Sequence, residues 1–160
     1  MRLVIPIQPC LQRFPDTSFL CALYRRQDNS PQAAAYFKAL PEALHVSGLL
    51  LYEFRQSVRF QVWLHARDKA KGYPQADCDR ALADQQTDLT TGALVVVTAE
   101  WPDVHRLAET ISKRQTSAGG HRSLDILHVA TALHLGAREF LFFDANQRKL
   151  AVAEKLKVKP

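Results

Sequence analysis

Apolar residues recur along this chain in two rhythms. A short segment at 13–14 and apolar runs at 43–46, 94–98 and 139–143 read as strands, and Leu94-Val95-Val96-Val97-Thr98, continuous and β-branched, has the pattern of a buried strand. Between them the spacing turns helical. Phe19, Leu20, Leu23 and Tyr24 share a face over 19–26, behind Thr17 or Ser18 as cap. Asn29-Ser30-Pro31 enters a helix over 32–40, which Pro41 stops. Ser47 caps a long helix reaching about residue 70, with Leu50, Phe54, Val58 and Val62 on one side. Further helices are predicted around 78–89, from Trp101-Pro102-Asp103 onward, over 123–135 with Gly136 as C-cap, and from 146 to about 156. Residues 116–120, Thr-Ser-Ala-Gly-Gly, read as a loop, and 157–159 as a short edge strand. Short strands alternating with amphipathic helices predict a three-layer α/β domain with a mainly parallel sheet.

The 160 residues fit one such domain, 1–160, with enough chain to bury a core without staples. The longest apolar runs, such as 49–52 and 94–97, are far too short to cross a bilayer, so no membrane role is expected. Residues 1–7 carry a brief apolar run broken by Pro6, too short for a signal-peptide core, and a cytoplasmic protein is expected. Cys10, Cys21 and Cys78 are scattered and form no Cys-x-x-Cys pair, which suggests neither a disulfide framework nor a zinc site. A formal charge of +5 favours a polyanionic partner, because basic surfaces gain affinity by releasing counterions from phosphates. Many basic proteins bind no nucleic acid, so charge alone changes little.

Four acidic residues change the picture more. Asp16 and Asp144 follow apolar strands, Asp125 opens a helix, and Glu53 lies about two turns into another. In an open parallel sheet, sites form beyond the carboxyl ends of the strands, where Asp16 and Asp144 stand. If the fold gathers these carboxylates, each pair at about 4 Å repels by on the order of 4 kcal/mol at an effective dielectric of about 20. An oxygen-rich pocket of that kind calls for a hard divalent ion, magnesium or manganese, able to polarise a phosphodiester and activate water. Thr17 or Ser18 can then orient Asp16 or a water, and Arg122 can meet a phosphate. Taken singly, Asp16 and Asp144 read as readily as helix caps, Glu53 reads as a solvated helix residue, and His128 as a packing residue. Arg25, Arg26, Arg55, Arg59, Arg67, Lys69 and Lys71 line either an RNA path or a plain solvated face.

The order Asp16-Thr17-Ser18-Phe19-Leu20, then helical Glu53, then Leu124-Asp125-Ile126-Leu127-His128-Val129-Ala130-Thr131-Ala132-Leu133, then Phe142-Phe143-Asp144-Ala145-Asn146-Gln147-Arg148-Lys149-Leu150-Ala151 resembles the PIN-domain nucleases. The likeness is greatest to the VapC-like toxins of bacterial and archaeal toxin–antitoxin pairs, and it extends over 13–158. It implies a PIN-like α/β/α sandwich, with Asp16, Glu53, Asp125 and Asp144 as catalytic, metal-binding residues for Mg2+ or Mn2+. It also implies endonucleolytic cleavage of RNA, a cognate antitoxin partner and a homodimer. Two departures stand out. Residues 1–11 precede the usual start of the first strand, as an extension or a mis-set start, and Phe142 occupies a place where a threonine often stands. Two other classes remain open. One is a non-cleaving RNA- or protein-binding module of the same fold. The other is a haloacid-dehalogenase-like phosphatase using Asp16 as nucleophile, although Ser18 stands where its second Asp belongs.

Overall fold

A computed structural model describes residues 11–160; Cys10 and the expectation for 1–11, save Leu11, lie outside them. In chain order the elements are β1 Arg13–Pro15, α1 Thr17–Tyr24, α2 Ser30–Lys38, β2 Leu44–Ser47, α3 Gly48–Arg67 and α4 Gln75–Thr91. They continue with β3 Leu94–Val97, α5 Trp101–Gly119, α6 Ser123–His134, β4 Glu139–Leu141, α7 Ala145–Ala153 and β5 Lys157–Lys159.

Every strand pairing is parallel. β1 pairs with β4 and β4 with β5, while β2 pairs with β3, so that Phe14 lies opposite Phe140 and Val46 opposite Val96. β1 also packs alongside β2, which sets the strands across the molecule as β3, β2, β1, β4, β5. The crossovers place α1 to α4 in one packed group and α5 to α7 in another. This is the parallel α/β sandwich that the strand–helix alternation predicts. Phe14, Phe19, Phe54 and Phe140 are fully buried at its centre. Among the described residues, no helix is long and apolar enough to cross a membrane.

Three local expectations are corrected. β3 is a sheet edge rather than a strand buried on both faces: among the described residues it pairs only with β2, and Val95 and Val96 are 37% and 50% exposed. Residues 116–119 continue α5 instead of forming a loop, because Thr, Ser and Ala all tolerate helix and only Gly120, at φ +66°, supplies the left-handed stop. The last helix ends at Ala153, where Lys155 turns to φ 65° and the Leu156 amide donates back to the Ala151 carbonyl at 2.9 Å.

A tight turn closes the far end of α3. There the chain reverses through Gly72, at φ +64°, where a Cβ would meet the Gln61 carbonyl oxygen. Only glycine fits. The turn sets Tyr73 against α3, its amide donating to the same carbonyl at 3.3 Å.

Candidate active site

The four carboxylates arrive from four separate elements. Asp16 leaves β1 and caps α1, its Oδ1 accepting from the Phe19 amide at 3.0 Å and from the Ser18 hydroxyl at 2.6 Å. The Ser18 oxygen in turn accepts from the Phe143 amide at 2.8 Å, which ties the exit of β1 to the exit of β4. Asp144, at that second exit, caps α7 through the amides of Asn146 (2.8 Å) and Gln147 (3.1 Å). Both aspartates are therefore helix caps, and both also face the same cavity. The two roles are not exclusive, since a cap uses one carboxylate oxygen and leaves lone pairs for something else.

Asp125 lies in the first turn of α6, where the helix dipole favours its charge, and its Oδ2 is 3.4 Å from Arg122 Nε. Glu53, half-buried, reaches in from α3. Its carboxylate accepts from the Thr17 hydroxyl and pairs with His128 Nε2. The hydroxyls thus divide their work, Ser18 orienting Asp16 and Thr17 holding Glu53. His128, only 1% exposed, is both the packing residue expected of it and the buried partner of Glu53.

These side chains line one cavity of about 270 Å³, together with Arg25 and Gln147. Gln147, 2% exposed, donates to the Asp125 carbonyl at 3.3 Å and so fixes α7 against the start of α6. Gln147 stood in the sequence as part of the motif after Asp144, but nothing there marked its contact with Asp125 or the Thr17–Glu53 bond, and Arg25 stood there only as one of several scattered cations. His128 did carry a signal, standing one helical step after Asp125.

The electrostatics are uneven. Burial pushes the Asp16 carboxyl up to about 7, against the opposing hydrogen bonds from Ser18 and Phe19 and the pull of His128; the negative charge of Asp144 adds to the rise. Burial also pushes Glu53 up, but hydrogen bonds from His128 and Thr17, with the positive fields of His128 and Arg122, outweigh it and hold Glu53 below the usual glutamate value. One carboxylate is thus short of positive charge and another well supplied.

Among the described residues, no three His, Cys, Asp or Glu side chains are grouped tightly enough to enclose an ion as they are placed. The donors nonetheless suit one, since four carboxylates face a single polar space and Asp16 is buried, with no cation among the described residues in an ion pair with it. Hard divalent ions favour such all-oxygen sets. Glu53 and Asp125 are partnered by His128 and Arg122. At the position flagged in the sequence, Phe142 is buried against Phe140, and the hydroxyl beside this strand exit is that of Ser18.

The chain has recognisable relatives. The family model of the PIN domain matches residues 13–153. No curated protein matches the sequence. Among solved structures, the chain is similar to Mycobacterium tuberculosis VapC20, described as a sarcin-ricin loop cleaving toxin, with 21% identity over 93% of this chain and 100% of that one and a TM-score of 0.57. It is also similar to FitAcB from Neisseria gonorrhoeae, with 15% identity over 93% of this chain and 97% of that one and a TM-score of 0.60. PAE2754 from Pyrobaculum aerophilum gives 17% identity over 89% of this chain and 87% of that one, with a TM-score of 0.53. At these identities the solved structures speak for the fold. The family match, which takes in the strand exits at Asp16 and Asp144 and the helices bearing Glu53 and Asp125, sets the phosphatase alternative aside: the chain belongs to the PIN domain family.

Proposed function

We propose that this protein is a metal-dependent endoribonuclease, the toxin of a toxin–antitoxin pair, acting in the cytoplasm on RNA phosphodiester bonds. The observation that carries this reading is the convergence of Asp16, Glu53, Asp125 and Asp144 on one cavity, with Asp16 buried and short of positive charge. The PIN family match and the fold shared with a structure described as a sarcin-ricin loop cleaving toxin support it.

Asp16, Asp144 and Asp125 would hold Mg2+ or Mn2+, and Glu53 would contact it through water. A divalent ion there supplies Lewis-acid polarisation of the phosphodiester and lowers the pKa of the attacking water. The chain's own groups do the positioning. Ser18 and the Phe19 amide fix the Asp16 carboxylate, and the Asn146 and Gln147 amides fix that of Asp144. Glu53, held below the usual value, stays ionised at neutral pH and can orient water in line with the scissile bond. Arg122, 81% exposed at the rim and only loosely paired, is free to fork onto a phosphate. By the same family reading a cognate antitoxin covers the basic helical flank, and the chain forms a homodimer.

A non-cleaving module has one observation in its favour: Glu53 and Asp125 are already satisfied by His128 and Arg122. Incubating the purified protein with a mixed RNA pool separates the two. Cleavage in Mg2+ or Mn2+, lost with chelator and reduced at least about 100-fold by Asp125→Asn, is the result expected of the nuclease. RNA bound but intact under every metal condition is the result expected of the module.

A further inference from the structure

Among the described residues, Arg25 is a half-buried cation with no anion paired to it. It follows α1 at the C-cap position, where the backbone leaves the helix extended, at φ −104° and ψ 160°. From there it lines two adjoining spaces at once, the carboxylate cavity and a narrower cleft walled by Tyr24, Val58, Tyr73 and Ala81. Its Nη1 donates to Cys21 Sγ at 3.4 Å, and its guanidinium carbon lies 5.2 Å from the centre of the Tyr73 ring. The ring is itself fixed, since the Tyr73 hydroxyl donates to the Arg26 carbonyl at 2.7 Å and the Gly72 turn sets its backbone.

Among the described residues, no acceptor is seen for the other donors of Arg25. Its Nε is buried with no acceptor, and among the described residues no carboxylate pairs with it. Other arginines do find acidic partners: Arg13 with Glu42 and Glu139, Arg80 with Asp77, Arg106 with Asp103, and Arg114 with Glu154. An N–H left buried without an acceptor is unfavourable, and an arriving acceptor recovers much of that cost. A guanidinium seated on a fixed ring beside a catalytic cavity is prearranged for an oxyanion, which it can grip with two parallel N–H bonds.

The size of the cleft narrows the ligand. Its free volume is about 40 Å³, room for on the order of three water molecules. No base enters so small a space, and the natural ligand is a compact anion at its mouth. We propose that Arg25 is a substrate-positioning residue that holds a backbone phosphate of the RNA strand next to the scissile one, fixing how the strand leaves the carboxylate cavity without reading a base. This rests on the reading of RNA as the substrate.

Binding can be tested apart from cleavage. A labelled single-stranded RNA is titrated in chelator against the Asp125→Asn chain over a series of salt concentrations, with fluorescence anisotropy as readout. Adding Arg25→Ala is expected to weaken binding about tenfold and to lower the slope of log affinity against log salt by about 0.7, the value for one phosphate contact on a single strand. Arg25→Lys restores the slope and part of the affinity. Lys113→Ala, which removes an exposed charge on α5, changes neither. In the cleaving chain, Arg25→Ala raises KM with little change in kcat, and Arg25→Lys recovers part of it. Melting temperatures of all variants guard against a merely structural effect.

Unchanged affinity and slope in Arg25→Ala overturn the proposal, as does an equal loss in Lys113→Ala. An Arg25→Ala chain that keeps its RNA affinity but no longer captures a protein partner overturns it in favour of a protein ligand. RNA binding that depends on Arg25, in a chain that cleaves under no metal condition, removes the nuclease reading and overturns the substrate-positioning role with it, leaving Arg25 a phosphate contact of an RNA-binding module. Cleavage with wild-type KM in Arg25→Ala removes the proposal alone.

Discussion

Asp16→Asn is expected to make the metal-free protein more stable and at the same time to abolish cleavage. Asp16 is 3% exposed and its carboxyl is pushed up to about 7, chiefly by burial, from an ordinary value of 3.8. The fold therefore prefers the neutral acid. Stability from this group is fully present below the ordinary value and is lost as pH rises from about 4 to about 7. At 1.36 kcal/mol per pKa unit, the cost of keeping Asp16 ionised above pH 7 is on the order of 4 kcal/mol. Asparagine keeps an oxygen for the Phe19 amide and the Ser18 hydroxyl, so the α1 cap survives. If only half the cost is recovered, about 2 kcal/mol, the melting temperature in chelator at pH 8 rises by roughly 4–8 °C. The advantage shrinks toward zero near pH 4. Saturating Mn2+ is expected to stabilise the parent at pH 8, by about 2.7 kcal/mol at a hundred times the dissociation constant, and to do much less for the variant. Thermal melts in chelator and in Mn2+ across pH 4–8 check both signs. A variant less stable than its parent at pH 8 in chelator would show that the buried charge is already compensated in the free protein.

His128→Leu is expected to act in the opposite sense on Glu53. The imidazole is buried and supplies one of two side-chain donors to that carboxylate, the other being Thr17. Leucine fills much of the volume but donates nothing. A half-buried carboxylate deprived of its donor costs about 1–3 kcal/mol. Because Glu53 is held below its usual value, its stabilising contribution is present above the ordinary glutamate value and is lost as pH falls through the lowered one. The gap between parent and variant is therefore widest at neutral pH and narrows in acid, the reverse of the Asp16 series. Cleavage is expected to fall about 10- to 100-fold, the usual consequence of removing a residue that orients a metal ligand. His128→Gln, which retains an N–H, should recover part of both losses. Equal cleavage by His128→Leu and the parent would mean that Glu53 does not depend on His128 for its position.

Much of this architecture is legible in the sequence, and the exceptions have physical causes. Strand-to-helix turns announce themselves through Asp16 and Asp144 because a carboxylate ending an apolar run has few reasons to be there. The order of elements comes from where the hydrophobic period changes. What periodicity does not carry is lateral position in the sheet. Leu94-Val95-Val96-Val97 looks buried on both faces because β-branched runs look alike at an edge and at a centre, yet among the described residues β3 has a strand on one side only. The length of α5 is equally hidden, since Thr116 to Ala118 accept helix or loop and only Gly120 settles the end.

The four carboxylates that share the cavity are readable from motif order, and a hydroxyl beside Asp16 with them, but which group holds which carboxylate is not. Thr17 and Ser18 are adjacent in sequence, and only the relative placement of α1, α3 and β4 sends one hydroxyl to Glu53 and the other to Asp16. Gln147 reaches Asp125 across 22 positions of chain, a contact made by helix packing and invisible to spacing. Arg25 looks like one of several surface cations until Tyr73, arriving through the Gly72 turn, gives its guanidinium a fixed seat.

The most direct test of the central claim is calorimetric titration of Mn2+ into the metal-free protein and into the Asp16→Asn, Asp144→Asn double variant, at pH 8 with both chains shown to be folded. Saturable binding by the parent, lost or weakened at least about 100-fold in the double variant, is the result expected if the four carboxylates form one cation site. Equal binding by the two proteins, or none by the parent at millimolar Mn2+, would contradict it.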